Sequence, residues 1–315
     1  MPIGKSIGGT AVLVEISGTP VFVKVVPLSD VERRPENVMS TANVFKLPTY
    51  CQYGLGGPGS PGFGVWREVA AHTMSTNWVL SGDCVNFPMM YHWRVLPVPV
   101  QRPPTSVELK DLEDSVQFWE GSPAVRSRLE AGLRASANVV FFMEHIPVSL
   151  NDWLERQLVI GGEIAESAVT MVDRELKSTV LFMNSRDLLH FDAHFRNIMT
   201  DGQHLYFADF GLAISSRFEL SKDEAHFFQI HRNYDKCYTT THLANFLARS
   251  LFGAENQDSV IQEYASGKAK RPIPPAVAAV LNRYAPTAVV MNAFFRKLQA
   301  ETRLAEYPSL GLERP

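Results

Sequence analysis

Two short apolar runs, Ile198-Met199-Thr200 and His204-Leu205-Tyr206-Phe207, flank an Asp201-Gly202 pair. Asp-Gly between strand-like runs predicts a tight hairpin, because glycine supplies the positive φ that such a turn demands. What borders this hairpin constrains the fold more than any other stretch. Leu189-His190-Phe191-Asp192-Ala193-His194-Phe195-Arg196-Asn197 precedes it, and Ala208-Asp209-Phe210-Gly211 follows. Two carboxylates and an amide thus stand in order around one predicted hairpin. The alternative is a solvated loop that carries its carboxylates by chance.

The chain begins with β patterning. Ala11 to Ile16 predicts a strand, Ser17-Gly18-Thr19-Pro20 a turn and Val21 to Val26 a second strand rich in β-branched residues. Residues 27–62 read as irregular, with Gly54 to Gly62 mobile by composition. Trp66, Val69, Ala70 and Met74 fall at helical spacing and predict a helix from about Val65 to Leu80. An apolar strand is expected from near Phe87, a proline-rich crossing over Pro97 to Pro104, helix over 107–135 and a buried strand over Val139 to Met143. Beyond Glu144-His145-Ile146-Pro147 the pattern turns helical, with Val169, Val172, Leu176, Val180 and Met183 on one face of Ile164 to Met183. The expected class is α+β. A mostly β lobe with one main helix spans 1–146, with an insert at about 97–136, and a mainly helical lobe spans 147–315.

The ordered pattern HxDxxxxN, hairpin, DFG resembles the protein-kinase-like superfamily. That resemblance implies a bilobal fold and transfer of the γ-phosphate of ATP, with Mg²⁺, to an alcohol. Phosphoryl transfer needs an in-line acceptor oxygen and neutralised phosphates more than covalent help from the protein. The resemblance assigns Asp192 as catalytic base and Asn197 and Asp209 as metal ligands, since Mg²⁺ wants oxygen donors. Lys24, in Val-Phe-Val-Lys, matches the lysine that grips the α- and β-phosphates. Glu68 on the next helix matches its partner. The competing readings are an edge-strand lysine and a solvated helix face. Gly4-Lys5-Ser6-Ile7-Gly8-Gly9 partly matches a phosphate-covering glycine loop. In a second register residues 2–7 are strand and the loop is Gly8-Gly9-Thr10. Met143 to Pro147 resembles the hinge between lobes, where the Glu144 carbonyl and Ile146 amide would bind adenine; the alternative is an ordinary strand end.

The chain departs from protein kinases in three places. Phe191 stands where most of them carry an arginine, His194 where serine/threonine kinases carry lysine, and no APE motif follows Gly211. His194 in Asp-x-His-x-x-Asn resembles aminoglycoside and choline kinase-like phosphotransferases, although some toxin-type serine kinases share it. The expected acceptor is therefore a small-molecule hydroxyl. A protein serine/threonine kinase is the second reading and a nucleotide-binding pseudokinase scaffold the third. Asp235, ahead of a predicted helix, corresponds by position to an aspartate that supports the catalytic loop in the family.

Composition excludes other classes. Net charge is -3 at pH 7, without the basic excess of a nucleic-acid binder. Cys51, Cys84 and Cys237 have no CxxC spacing, which argues against a disulfide framework or structural zinc. No apolar run suffices for a membrane span, Glu15 interrupts the first apolar stretch, and no small-residue cleavage site follows. A cytoplasmic protein, without membrane or nucleic-acid partners, is expected.

Overall fold

The computed structural model describes residues 2–6, 9–54, 58–98, 102–269, 271–309 and 312. In chain order its main elements begin with strands β1 (Pro2–Ser6), β2 (Gly9–Ile16) and β3 (Thr19–Leu28), then helix α1 (Val65–Leu80) and strand β4 (Met90–Pro97). Helices α2 (Ser106–Phe118) and α3 (Pro123–Leu133) lead to strand β5 (Ala137–Glu144). Strand β6 (Val148–Ser149) precedes helices α4 (Leu150–Ile160) and α5 (Gly162–Ser185) and strands β7 (Ile198–Thr200) and β8 (Leu205–Phe207). Helices α6 (Lys222–Ile230), α7 (Tyr234–Phe252), α8 (Gln257–Ala265) and α9 (Pro275–Ala300) follow. The class is α+β.

The chain forms two compact units. The first comprises residues 1–145, 190–192 and 209–229; the second comprises 146–189, 193–208 and 230–315.

The first unit is built on an antiparallel sheet of order β1-β2-β3-β5-β4. Side chains alternate across a strand. Val21, Val23 and Val25 of β3 therefore share one face with Val12, Val14 and Val140. Phe22, Val26 and Leu28 lie on the other, where Val65, Trp66 and Val69 of α1 complete a core with Val139, Phe141 and Met143. Lys24 falls on this second face by the same alternation. Helix α1 occupies the residues its periodicity predicts. Its N-cap, Gly64, has no side chain to offer the first-turn amides, and the chain supplies one from a distance. Glu32 Oε1 accepts from the Val65 amide at 2.9 Å, and the Glu32 carbonyl accepts from Trp66 Nε1 at 2.9 Å.

Three expectations change here. Gly4, Lys5 and Ser6 lie in β1, with Lys5 opposite Thr10 and Ser6 opposite Gly9, so the register that makes them a phosphate loop does not form, and in the other register Gly9 and Thr10 fall in β2 rather than in the loop. Gly8 lies outside the described residues. Phe87 is a fully buried core residue and the strand after it starts at Met90. The stretch expected to be irregular includes a short 3-10 helix, Thr49–Gln52.

In the second unit the predicted hairpin is present. Ile198 pairs with Phe207 and Thr200 with Leu205, while β6 pairs with β7 along its other edge. The turn is closed by Asp201 Oδ1, which accepts from the Gln203 and His204 amides at 2.8 Å. Gly202 sits at φ 92°. Helix α5 buries the expected Val169, Val172, Leu176, Val180 and Met183, and α7 packs with α8 and α9.

Candidate active site

Lys24 lies in β3, between β2 and β5, so it is not on an edge strand. It is 5% exposed. An ammonium taken out of water costs several kcal/mol unless it is paired. Two carboxylates pair it: Nζ lies 2.6 Å from Glu68 Oε1 and 2.8 Å from Asp209 Oδ1. Glu68, one turn into α1, is itself buried at 4% and is therefore not on a solvated face. Burial alone would lower the Lys24 pKa, but the charges of Asp209 and Glu68 and their hydrogen bonds outweigh it and raise it. Burial likewise pushes the Asp209 carboxyl up. The Lys24 ammonium, its hydrogen bond and the Gly211 amide overcome that and hold Asp209 at about 2. The cluster keeps one negative charge in excess, on a carboxylate whose side chain is 37% exposed.

Asp209 sits at φ 61° and Phe191 at φ 63°. Asp tolerates this left-handed region; a bulky Phe does so rarely and at a cost of about 1–3 kcal/mol. Phe191 immediately precedes Asp192, so its backbone sets the direction of that carboxylate. The strained residue is held from both sides. Its ring packs on Phe227 at 5.5 Å and on Tyr53 at 6.1 Å. The Asp192 amide donates to His190 Nδ1 at 3.3 Å, and the buried His190 ring rests 5.0 Å from Phe210. Phe210 also packs on His72 at 5.0 Å and on Phe87 at 6.2 Å. His72 lies one turn beyond Glu68 on α1. The residues that flank Asp192 and Asp209 therefore share one aromatic cluster with the helix that carries Glu68.

The other two polar residues of the motif belong to the second unit. His194 Nδ1 accepts from the amides of Arg196 and Asn197, each at 3.2 Å. That acceptor role places the proton of neutral His194 on Nε2. The Asn197 carbonyl accepts from the Ala208 amide at 2.9 Å, which ties Asn197 to the residue before Asp209. Phe195 packs edge-on against His242 at 4.6 Å. Burial, followed by the charges of His194, Arg249 and Arg196, lowers the His242 pKa to about 3. Asp235 is buried in the first turn of α7.

The remaining expected site residues are placed as follows. Glu144 closes β5 opposite Val21; its carboxylate accepts from the Met89 amide at 3.1 Å. Ile146 is the first residue of the second unit. Gly9, at φ 142°, is required by the sheet: a Cβ there would lie 2.1 Å from the Val25 carbonyl oxygen. Sequence reasoning missed Phe191 as a strained residue, Tyr53 as its support, and Gly54, where a Cβ would lie 2.4 Å from Asp192 Oδ1. The one available signal was glycine at position 54, and it read as composition.

The chain matches no protein-family model and no curated protein. Among the described residues, no helix is long and apolar enough to cross a membrane. Nor do three or more His, Cys, Asp or Glu residues gather there as a metal site. The two oxygen donors expected for a hard cation belong to different units, the Asp209 carboxylate to the first and the Asn197 side chain to the second.

Proposed function

We propose that the chain is an ATP-dependent phosphotransferase with a bilobal protein-kinase-like fold, which moves the γ-phosphate to a small-molecule alcohol. The observation that carries the reading is the Lys24 ammonium between Glu68 and Asp209. Its two hydrogen bonds use two of three N–H donors. The third is left for an oxygen of the α- or β-phosphate. Glu68 fixes the ammonium in place, and the rigid strand and helix behind the pair preset its position.

Asp192 takes the proton of the acceptor hydroxyl as the hydroxyl oxygen bonds to the γ-phosphorus. The bond from that phosphorus to the β,γ-bridging oxygen breaks, and its electron pair leaves with ADP. Asp209 and Asn197 would hold Mg²⁺. When bound, that ion neutralises phosphate charge. The Glu144 carbonyl and the Ile146 amide would bind the adenine. His194, two residues beyond the base in the sequence, would donate from Nε2–H to the acceptor or to the oxygens of the phosphoryl group in transfer.

The two aspartates can be told apart. Asp192→Asn is expected to lower kcat by about 10²–10⁴-fold, the range of a positioned acid–base group, with MgATP affinity nearly unchanged. Asp209→Asn is expected to weaken MgATP binding and turnover together. Calorimetry beside steady-state assay checks both. Full activity in both variants would sink the reading.

A further inference from the structure

Residues 29–54 and 58–64 lie between β3 and α1, and no motif assigns them a chemical role. Their ties to the rest of the first unit are numerous. Glu32 caps α1, accepts from Ser29 Oγ at 2.6 Å and meets Arg128 of α3 at 3.4 Å. Arg67 of α1 donates from Nε to the Thr41 carbonyl at 2.7 Å, and its Nη2 pairs with Glu224 of α6 at 2.6 Å with both side chains buried. Trp119, fully buried after α2, donates from Nε1 to the Gly59 carbonyl at 2.8 Å and stacks on Tyr50 at 6.1 Å and 9°. Arg128 donates to the Gly62 carbonyl at 3.1 Å. The two stretches without an assigned role, 29–64 and the α2–α3 insert, thus brace one another.

The inner end of the braced segment reaches the base. Gln52 Nε2 donates to the Leu212 carbonyl. Tyr53 packs on Phe191 and, at 5.7 Å, on Phe227. At Gly54 the bare backbone lies against Asp192. A Cβ there would be 2.4 Å from Asp192 Oδ1, 3.0 Å from Cγ and 3.3 Å from Leu212 Cδ1.

We propose that residues 49–54 form the acceptor-side wall at Asp192, that Gly54 is the positioning residue at which this wall meets the base, and that the acceptor is a compact hydroxyl compound rather than a polypeptide. The proposal rests on the phosphotransferase reading and deepens it. One way an extended peptide binds is by pairing with free backbone groups. Beyond Gly211 several such groups are committed to the chain itself. The Leu212 carbonyl is bonded to Gln52. The Ala213 amide donates to the Phe210 carbonyl, the Phe218 amide to the Ser215 carbonyl and the Arg217 amide to Ser215 Oγ. A compact hydroxyl compound needs no such edge. It needs only a base held at a fixed angle, which the Tyr53–Phe191 contact and the close Gly54 backbone supply.

Gly54→Ala is the direct test. The new methyl strikes the end of a side chain, which can rotate away, so the fold is expected to survive while the base is displaced. Phosphate release from MgATP to water is expected to fall on the order of 10²-fold, as for a misplacement of about 1 Å. The rise in melting temperature with MgATP is expected to match wild type. In an Asp192→Asn background the same substitution is expected to change phosphate release by less than about twofold, since neighbours acting through one group are not additive. Equal losses in both backgrounds, or no loss in either, overturn the role of Gly54. If Gly54→Ala does not fold, Tyr53→Leu is expected to lower turnover without weakening MgATP stabilisation; unchanged turnover then overturns it. Casein, offered with γ-labelled ATP, is expected to stay unlabelled while phosphate is released to water. Labelling of casein faster than that release overturns the compact acceptor. Wild-type protein with neither MgATP stabilisation nor phosphate release would instead fail the phosphotransferase reading itself.

Discussion

A single buried ammonium shared by two carboxylates gives Lys24 a structural role beside the one proposed for it towards phosphate. Lys24→Met would leave the Glu68 carboxyl, 4% exposed, without the ammonium it pairs with. Removing one partner of a buried pair costs about 3–5 kcal/mol, because the other charge stays buried. Lys24→Met is therefore expected to lower unfolding free energy by roughly that amount in urea titrations, and to abolish turnover. Adding Glu68→Gln should restore part of the stability and none of the activity. Equal stability in the single and double variants would show that Glu68 is not the charge left unpaired. The Lys24–Glu68 contact was legible because chemistry restricts which residue types can pair there. The second partner, Asp209, was not legible as a lysine contact. A sequence shows that a lysine is apolar-flanked, but not how many carboxylates a fold turns towards it. Gly54 was invisible for a related reason. Its meaning lies in the side chain it approaches, and Asp192 is far along the chain.

Elements were easier to read than their junctions. The hairpin of β2 and β3, helix α1 and strands β7 and β8 follow from periodicity and turn chemistry that act over a few residues. The start of α1 does not, because its cap is Glu32, half a segment away in sequence. Glu32→Ala removes the acceptor for the Val65 amide and the partner of Arg128, which is 9% exposed. A lost cap costs about 0.5–2 kcal/mol and an orphaned buried charge more, so a loss of about 3 kcal/mol is expected. Glu32→Gln should cost less, since an oxygen remains. Denaturant titration decides it; a loss below about 0.5 kcal/mol for Glu32→Ala would mean that α1 is not capped this way. Helix α7 carries a second testable feature. His242 is held neutral, its pKa lowered from 6.5 to about 3, and the groups facing it are His194, Arg196 and Arg249. As pH falls below 6.5 the unfolded chain takes up a proton that the folded one refuses. Stability is thus fully present above 6.5 and is lost as pH falls towards 3. At about 1.36 kcal/mol per unit the loss approaches roughly 4 kcal/mol over that window. His242→Phe is expected to flatten the dependence of the urea midpoint on pH, and an unchanged slope would count against it.

At the scale of the molecule, the first unit is assembled from three separate stretches of chain, with 190–192 and 209–229 joining 1–145. The amino-terminal part alone lacks Asp209 for Lys24, Phe210 for His72, Phe227 for Tyr53 and Glu224 for Arg67. A fragment of residues 1–146 is therefore expected to melt without a cooperative transition by circular dichroism, while the full chain melts sharply. A sharp transition in the fragment would show that the later stretches are accessory. The same discontinuity bears on how the protein is born. A ribosome adds about 5–20 residues per second, so the stretch from 146 to 229 occupies it for on the order of 10 s after β5 has been made. Through that interval the first unit waits with Arg67 lacking Glu224, His72 lacking Phe210 and Lys24 lacking its second carboxylate, Asp209. The nascent chain must outlast this pause without binding a neighbour, and crowded polysomes or slow codons between 146 and 229 lengthen it.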